Sequence, residues 1–130
     1  MCCTRRSLIA AAIGSGLPLR ARAATPKLVA AAFAMRAKAV AAGDQPYGAI
    51  VARDGEIVGW GPSRVRELGE WIGHAEREAL RDAQRRLGQD LSGCVMFSTS
   101  RPCGTCQRAT VQARLSRMYY GEDAIDAGRP

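Results

Sequence analysis

Cys103-Gly104-Thr105-Cys106 places two thiols three residues apart, with Pro102 in front of them to mark where a helix begins. On a helix start the two sulfurs share one face and can hold one ion. The field at that end favours negative charge, so both thiols are expected to lose their protons readily. Two thiolates leave a zinc ion incomplete. The chain's single histidine, His74, offers a third ligand, and three protein ligands with a fourth position open to water is the composition of a catalytic zinc. Such a metal makes water a usable nucleophile near neutral pH. Attack by that water then needs one group to take its proton and pass it to the leaving group, and Glu76 is the candidate.

Residues two apart point to nearly opposite sides inside a helix. His74 and Glu76 therefore converge only if His74 lies at the helix cap, outside helical dihedrals. Two other chemistries compete for the same cysteines. A Cys-x-x-Cys pair opening a helix is also the arrangement of a redox protein, although that leaves His74 and Glu76 unused. A closed structural site could recruit Cys94, but a strand starting at Cys94 and running to Ser98 or Thr99 sets it on the order of 15 Å from the metal end. Cys94 fits better as a small buried apolar residue.

These residues must be carried by a scaffold, and its elements are legible in part. Thr25-Pro26 is a helix start and Gly43 a stop, which predicts a helix over 26–42. Asp54-Gly55 between 49–53 and 56–60 predicts a hairpin. Residues 61–73 read as a Gly/Pro-containing loop, 74–87 as a helix ended by Gly88, 95–99 as a strand, 103–115 as a helix and 117–120 as a short strand. That order implies one mixed sheet covered by helices.

Residues 1–23 form a separate unit. Thr4-Arg5-Arg6-Ser7, the apolar stretch Leu8 to Leu19, and Ala21-Arg22-Ala23 before Ala24 have the three-part layout of an export signal, and the paired arginines resemble the twin-arginine type. The apolar stretch is shorter than the roughly 20 residues that span a bilayer, so no stable membrane anchor is expected. The formal charge of +7 falls to +3 over residues 24–130 once Arg5, Arg6, Arg20 and Arg22 are set aside. In that part arginines and acids interleave, as on an ordinary solvated surface, so basicity gives little support to a nucleic-acid partner.

His74-Ala75-Glu76 followed by Pro102-Cys103-Gly104-Thr105-Cys106 resembles the signature of the zinc-dependent cytidine and purine deaminases. The resemblance runs from about Asp44 to Gly121. It is nearest to the guanine-deaminase and tRNA-adenosine-deaminase branch, through Asp44-Gln45-Pro46-Tyr47-Gly48-Ala49 and through Val111 to Gly121. It implies an α/β fold, a three-layer αβα sandwich with a mixed central sheet, over 24–130. It also implies zinc held by His74, Cys103 and Cys106, Glu76 as proton shuttle, hydrolytic loss of ammonia from a base, and frequent homodimers. Ser63, Ala75 and Pro102 are the candidate substrate-binding residues.

Three features depart from the family pattern. Ser63 stands where the purine branch has a base-binding asparagine, Arg101 stands where glutamate is common before Pro-Cys, and the chain ends at Pro130 in what reads as a C-terminally shortened version of the fold. The reading is a periplasmic deaminase of a small nucleobase or nucleoside, guanine-like purines favoured. A cytoplasmic location would restore a tRNA adenosine deaminase role.

Overall fold

The computed structural model describes residues 19–130. Helix α1 (Leu19–Ala41) leads into the hairpin β1 (Gly48–Arg53) and β2 (Glu56–Pro62). The one-turn helix α2 (Val65–Leu68) and helix α3 (Ala75–Leu87) follow, then β3 (Cys94–Ser98), α4 (Gly104–Gln112), β4 (Arg117–Tyr120) and β5 (Ile125–Gly128). The sheet order is β2-β1-β3-β4-β5. Only β3 and β4 run parallel, with α4 as their crossover, and the other pairs are antiparallel. This is the α/β architecture with a mixed central sheet between helical layers that the resemblance implies.

Strand alternation divides the core in two. Ile50, Ala52, Phe97 and Tyr119 face Leu28 and Ala32 of α1, and Phe97 stacks on Tyr119 with ring centroids 4.9 Å apart. Ala49, Val51, Cys94, Met96 and Met118 face Ala75, Ala79, Leu80 and Ala83 of α3 on the other side. The period of two along β1 and β3 thus sends alternate residues to opposite helical layers. Small residues set the spacing of α3. A Cβ at Gly61 would collide with the Ala75 carbonyl and the Ala79 amide, and one at Gly59 with the Ala79 carbonyl.

Several elements differ from their expected bounds. The described part of the first helix runs from Leu19 and carries Pro26 in its interior, because the alanine-rich sequence around Pro26 sustains a helix that loses one amide donor there. It is continuous across Ala23–Ala24, the expected end of the leader, while the twin-arginine part of that leader lies outside the described residues. The expected loop 61–73 contains the end of β2 and all of α2. Helix α4 stops at Gln112, since Arg114 takes a left-handed φ of 65° and turns the chain toward β4. Strand β5 was not expected, as Ile125-Asp126-Ala127-Gly128 has a weak β pattern and forms by pairing at the sheet edge.

Candidate active site and metal centre

Two helix starts and one strand end meet at the site. His74 is the N-cap of α3, with φ −58° and ψ 141°, so its backbone is extended while its carbonyl accepts from the Glu78 amide at 3.0 Å. Cys103 is the N-cap of α4, with φ −74° and ψ 168°, and its carbonyl accepts from the Gln107 amide at 2.9 Å. The break in dihedrals at residue 74 turns the ring of His74 and the carboxylate of Glu76 toward the same space.

His74 Nδ1 lies 3.3 Å from Cys106 Sγ and 3.6 Å from Cys103 Sγ, and the three ligand atoms all fall within 4.8 Å of one another. Bonds of about 2.3 Å to sulfur and about 2.0–2.1 Å to nitrogen at tetrahedral angles put a nitrogen and a sulfur about 3.6 Å apart. The donor types and spacings fit zinc, and His74, Cys103 and Cys106 are the residues that would hold it. Cys94 is fully buried in the core at the other end of β3, in no such group.

Glu76, only 5% exposed, completes the floor. Its Oε1 accepts a 2.7 Å hydrogen bond from Ser98 Oγ, and its Oε2 lies 3.7 Å from Cys106 Sγ. Ser98 ends β3 on the same face as Cys94 and Met96, which aims its hydroxyl at the first turn of α3. Glu70 Oε1 lies 3.2 Å from the other ring nitrogen of His74, Nε2.

The thiols do not behave alike. Burial would raise Cys103, but the amides at the start of α4, the Cys106 thiol and His74 favour its thiolate and carry its pKa below the ordinary thiol value. Burial, and then the charge of Glu76, push Cys106 strongly upward. The expectation that both thiols lose their protons readily therefore holds for Cys103 alone. At Cys106 burial and a carboxylate outweigh the helix terminus, and a dication held by the three ligands would supply the opposing charge. For His74, burial would lower the pKa, yet contacts with Glu70 and Cys103 raise it.

Above this floor is a cavity of about 750 Å³, lined in part by Tyr47, Ser63, Ala75, Glu76, Arg101 and Cys103. Ser63 is buried, and its hydroxyl donates to Asp44 Oδ1 at 3.1 Å. Ala75 lines the cavity directly. Pro102 is buried and is not among the lining residues; its neighbours Arg101 and Cys103 form that wall, and Pro102 stands immediately before the α4 cap. The Arg101 side chain forms no hydrogen bond or ion pair among the described residues.

Sequence reasoning missed Asp44 as an organiser of this wall. Its carboxylate accepts from the Gln45 amide at 2.7 Å, the Val65 amide at 3.1 Å and the Arg66 amide at 3.1 Å, besides Ser63. It thereby ties the loop before β1 to the start of α2. Ser98 and Glu70 were missed too. The signals were slight: a polar residue at the inward parity of β3, and an acid four residues before the histidine.

Residues 23–122 match the family model described as the cytidine and deoxycytidylate deaminase zinc-binding region. A tRNA-specific adenosine deaminase of Agrobacterium fabrum is 39% identical over 77 residues, which make up 58% of this chain and 51% of that protein. The solved structure of guanine deaminase from Bacillus subtilis aligns with a TM-score of 0.68 at 30% identity, covering 73% of this chain and 62% of that one. A structure from work on A-to-I editing by tRNA:A34 deaminases at the wobble position of transfer RNA aligns with a TM-score of 0.68 at 32% identity, covering 72% and 73%. The chain spans about half the length, or less, of the curated relatives it matches. Since the matched region contains both helix starts that bring the ligands together, the chain belongs to the cytidine and deoxycytidylate deaminase family of zinc-dependent C–N hydrolases.

Proposed function

We propose that this chain removes ammonia from a free purine base or its nucleoside, with guanine-like substrates favoured. The observation that carries the reading is the cavity of about 750 Å³ whose floor holds the ligand group and Glu76. That volume lies within the range of ligand pockets and admits a base or its nucleoside, and Arg101 is the one arginine or lysine among the lining residues. The similarity to guanine deaminase supports the choice of base.

Zinc, when bound by His74, Cys103 and Cys106, would supply a water activated near neutral pH and an electrophile for the developing charge. The chain's own residues do the rest. Glu76 takes a proton on its carboxylate and delivers it to the departing amine, with Ser98 holding Oε1 so that the carboxylate keeps its aim. Ala75, Ser63 and Tyr47 are among the residues that bound the space for the ring.

A second reading, adenosine deamination in transfer RNA, is favoured by the identity to the Agrobacterium enzyme and by Trp71, which is 71% exposed one residue after Glu70 and offers a face for stacking a base. The deciding experiment is ammonia release by the zinc-loaded full chain from guanine, guanosine, adenine, adenosine, cytosine and cytidine. Inosine formation is followed in parallel in a transfer RNA with adenosine at the wobble position. Release from a free purine alone upholds the first reading, and inosine in the RNA alone replaces it with the second.

We further propose export to the periplasm by residues 1–23. Among the described side chains of α1, Leu28, Ala32 and Ala39 are buried, and all three would remain after cleavage at Ala23. No helix among the described residues is long and apolar enough to cross a membrane. Amino-terminal sequencing of the protein from a periplasmic fraction tests this: a start at Ala24 supports it, and the intact chain confined to the cytoplasm overturns it. Self-association as a dimer is proposed from the family pattern, and sedimentation of the purified chain measures it.

A further inference from the structure

Both ring nitrogens of His74 are engaged. Nδ1 faces the two sulfurs at 3.3 and 3.6 Å, and Nε2 faces Glu70 Oε1 at 3.2 Å. A neutral imidazole carries one proton, and an ionised carboxylate accepts without donating. Glu70 beside Nε2 therefore keeps the proton on that nitrogen and leaves the Nδ1 lone pair directed at the space between Cys103 and Cys106. We propose that Glu70 is a positioning residue that fixes the tautomer and orientation of His74 for zinc, a role that rests on the metal centre described above.

The main chain places Glu70 rather than leaving it to a flexible loop. Gly69, at φ 94°, closes α2 with its amide donating to the Val65 carbonyl at 2.7 Å. The amides of Ile72 and Gly73 donate back to the Gly69 carbonyl at 3.3 and 2.9 Å, and the Arg64 amide donates to the Gly73 carbonyl at 2.8 Å. Arg81 donates to the Ile72 carbonyl at 2.6 Å and also pairs with Glu78, a buried carboxylate that receives Arg64 at 3.4 Å. Gly73 itself has no room for a side chain, because a Cβ there would collide with the backbone of Arg64. The segment between α2 and α3 is thus tied to both helices, and Glu70 is carried to the outer edge of the His74 ring.

The Glu70 side chain is 60% exposed. A pair so open to solvent adds little to folding stability. An acceptor that orients a metal-ligating histidine is nevertheless worth about 10–100-fold in metal affinity. The two effects can be separated, because one requires the metal and the other does not.

The test uses the full chain as wild type, Glu70→Ala and Glu70→Gln. Zinc affinity is measured by competition with a chelator, the ligand field by absorption of the cobalt(II)-loaded protein, and folding by thermal melting of the metal-free protein. Expected are a 10–100-fold loss of zinc affinity and an altered cobalt spectrum in Glu70→Ala. Glu70→Gln should recover to within about threefold, since its amide oxygen still accepts from Nε2, and the metal-free melting temperatures should coincide. Unchanged zinc affinity and cobalt spectrum in Glu70→Ala would overturn the role. So would a loss in both variants that follows lowered metal-free melting. A wild-type chain that takes up no zinc would instead overturn the metal centre on which the role depends.

Discussion

Ser98 Oγ donates to Glu76 Oε1 at 2.7 Å, joining the last residue of β3 to the first turn of α3 inside the core. The bond leaves Glu76 Oε2 toward the cysteine ligands, 3.7 Å from Cys106 Sγ. A carboxylate this buried has few rotamers without strain, and the hydroxyl selects one of them. Glu76→Gln is expected to keep one zinc per chain and lose about 10²–10⁴-fold in turnover, checked by metal analysis and ammonia release on the same sample. Ser98→Ala should keep zinc and lower kcat by about tenfold, the effect of losing roughly 1.4 kcal/mol of orientation. Full activity in either variant would remove that residue from the proton path.

Gly61→Ala probes how the ligands are brought together without touching any of them. The added Cβ meets the Ala75 carbonyl and the Ala79 amide, so α3 must move off β2. Overpacking of this kind costs about 1–3 kcal/mol, and it displaces both His74 and Glu76. Denaturant unfolding should show the loss, with zinc affinity reduced alongside; an unchanged midpoint would mean that the helix is not held at this distance.

Asp44 gives a stability that depends on pH. Burial alone would raise its pKa, but hydrogen bonds from Gln45, Ser63, Arg66 and Val65 carry it below the ordinary carboxylate value. The unfolded chain titrates near 3.9, so the contribution is complete above that pH and is lost as pH falls through the lower folded value. Asp44→Ala should cost on the order of 2 kcal/mol at neutral pH and flatten the acid limb of the unfolding midpoint plotted against pH. An acid limb of unchanged shape would assign it to other groups.

Zinc removal should expose one thiol first. Cys103 is exposed, whereas Cys94 and Cys106 are buried. Peptide mapping after brief alkylation of the metal-free chain should find Cys103 modified well ahead of Cys94 and Cys106, and zinc loading should suppress it. A chain that takes up no zinc and carries a Cys103–Cys106 disulfide that forms and reduces reversibly would favour the redox chemistry instead.

Much of this was readable before any coordinates. The Asp54-Gly55 hairpin is a local pattern that turn chemistry imposes on the chain, whereas the unbroken apolar run Ala49 to Ala52 marked a strand without showing that its alternate residues face opposite helical layers. His74, Glu76, Cys103 and Cys106 stood out because their side chains have few roles in combination. Where the expectation erred, a tertiary effect outweighed a local one. Pro26 did not begin α1, β5 formed by edge pairing, and burial beside Glu76 reversed the direction at Cys106.

The sequence by itself determined the donor types, the Cys-x-x-Cys spacing and the cap signals, all properties of residues within a few positions of one another. Only the tertiary structure decided that Nδ1 of His74, and not Nε2, faces the sulfurs, that Ser98 aims Glu76, and that Glu70 and Asp44 brace the site from either side. Those choices depend on how close α3 comes to β2 and where β3 ends against it. Such distances between residues far apart in the chain are fixed by packing and by hydrogen-bond geometry across elements, which no local pattern encodes.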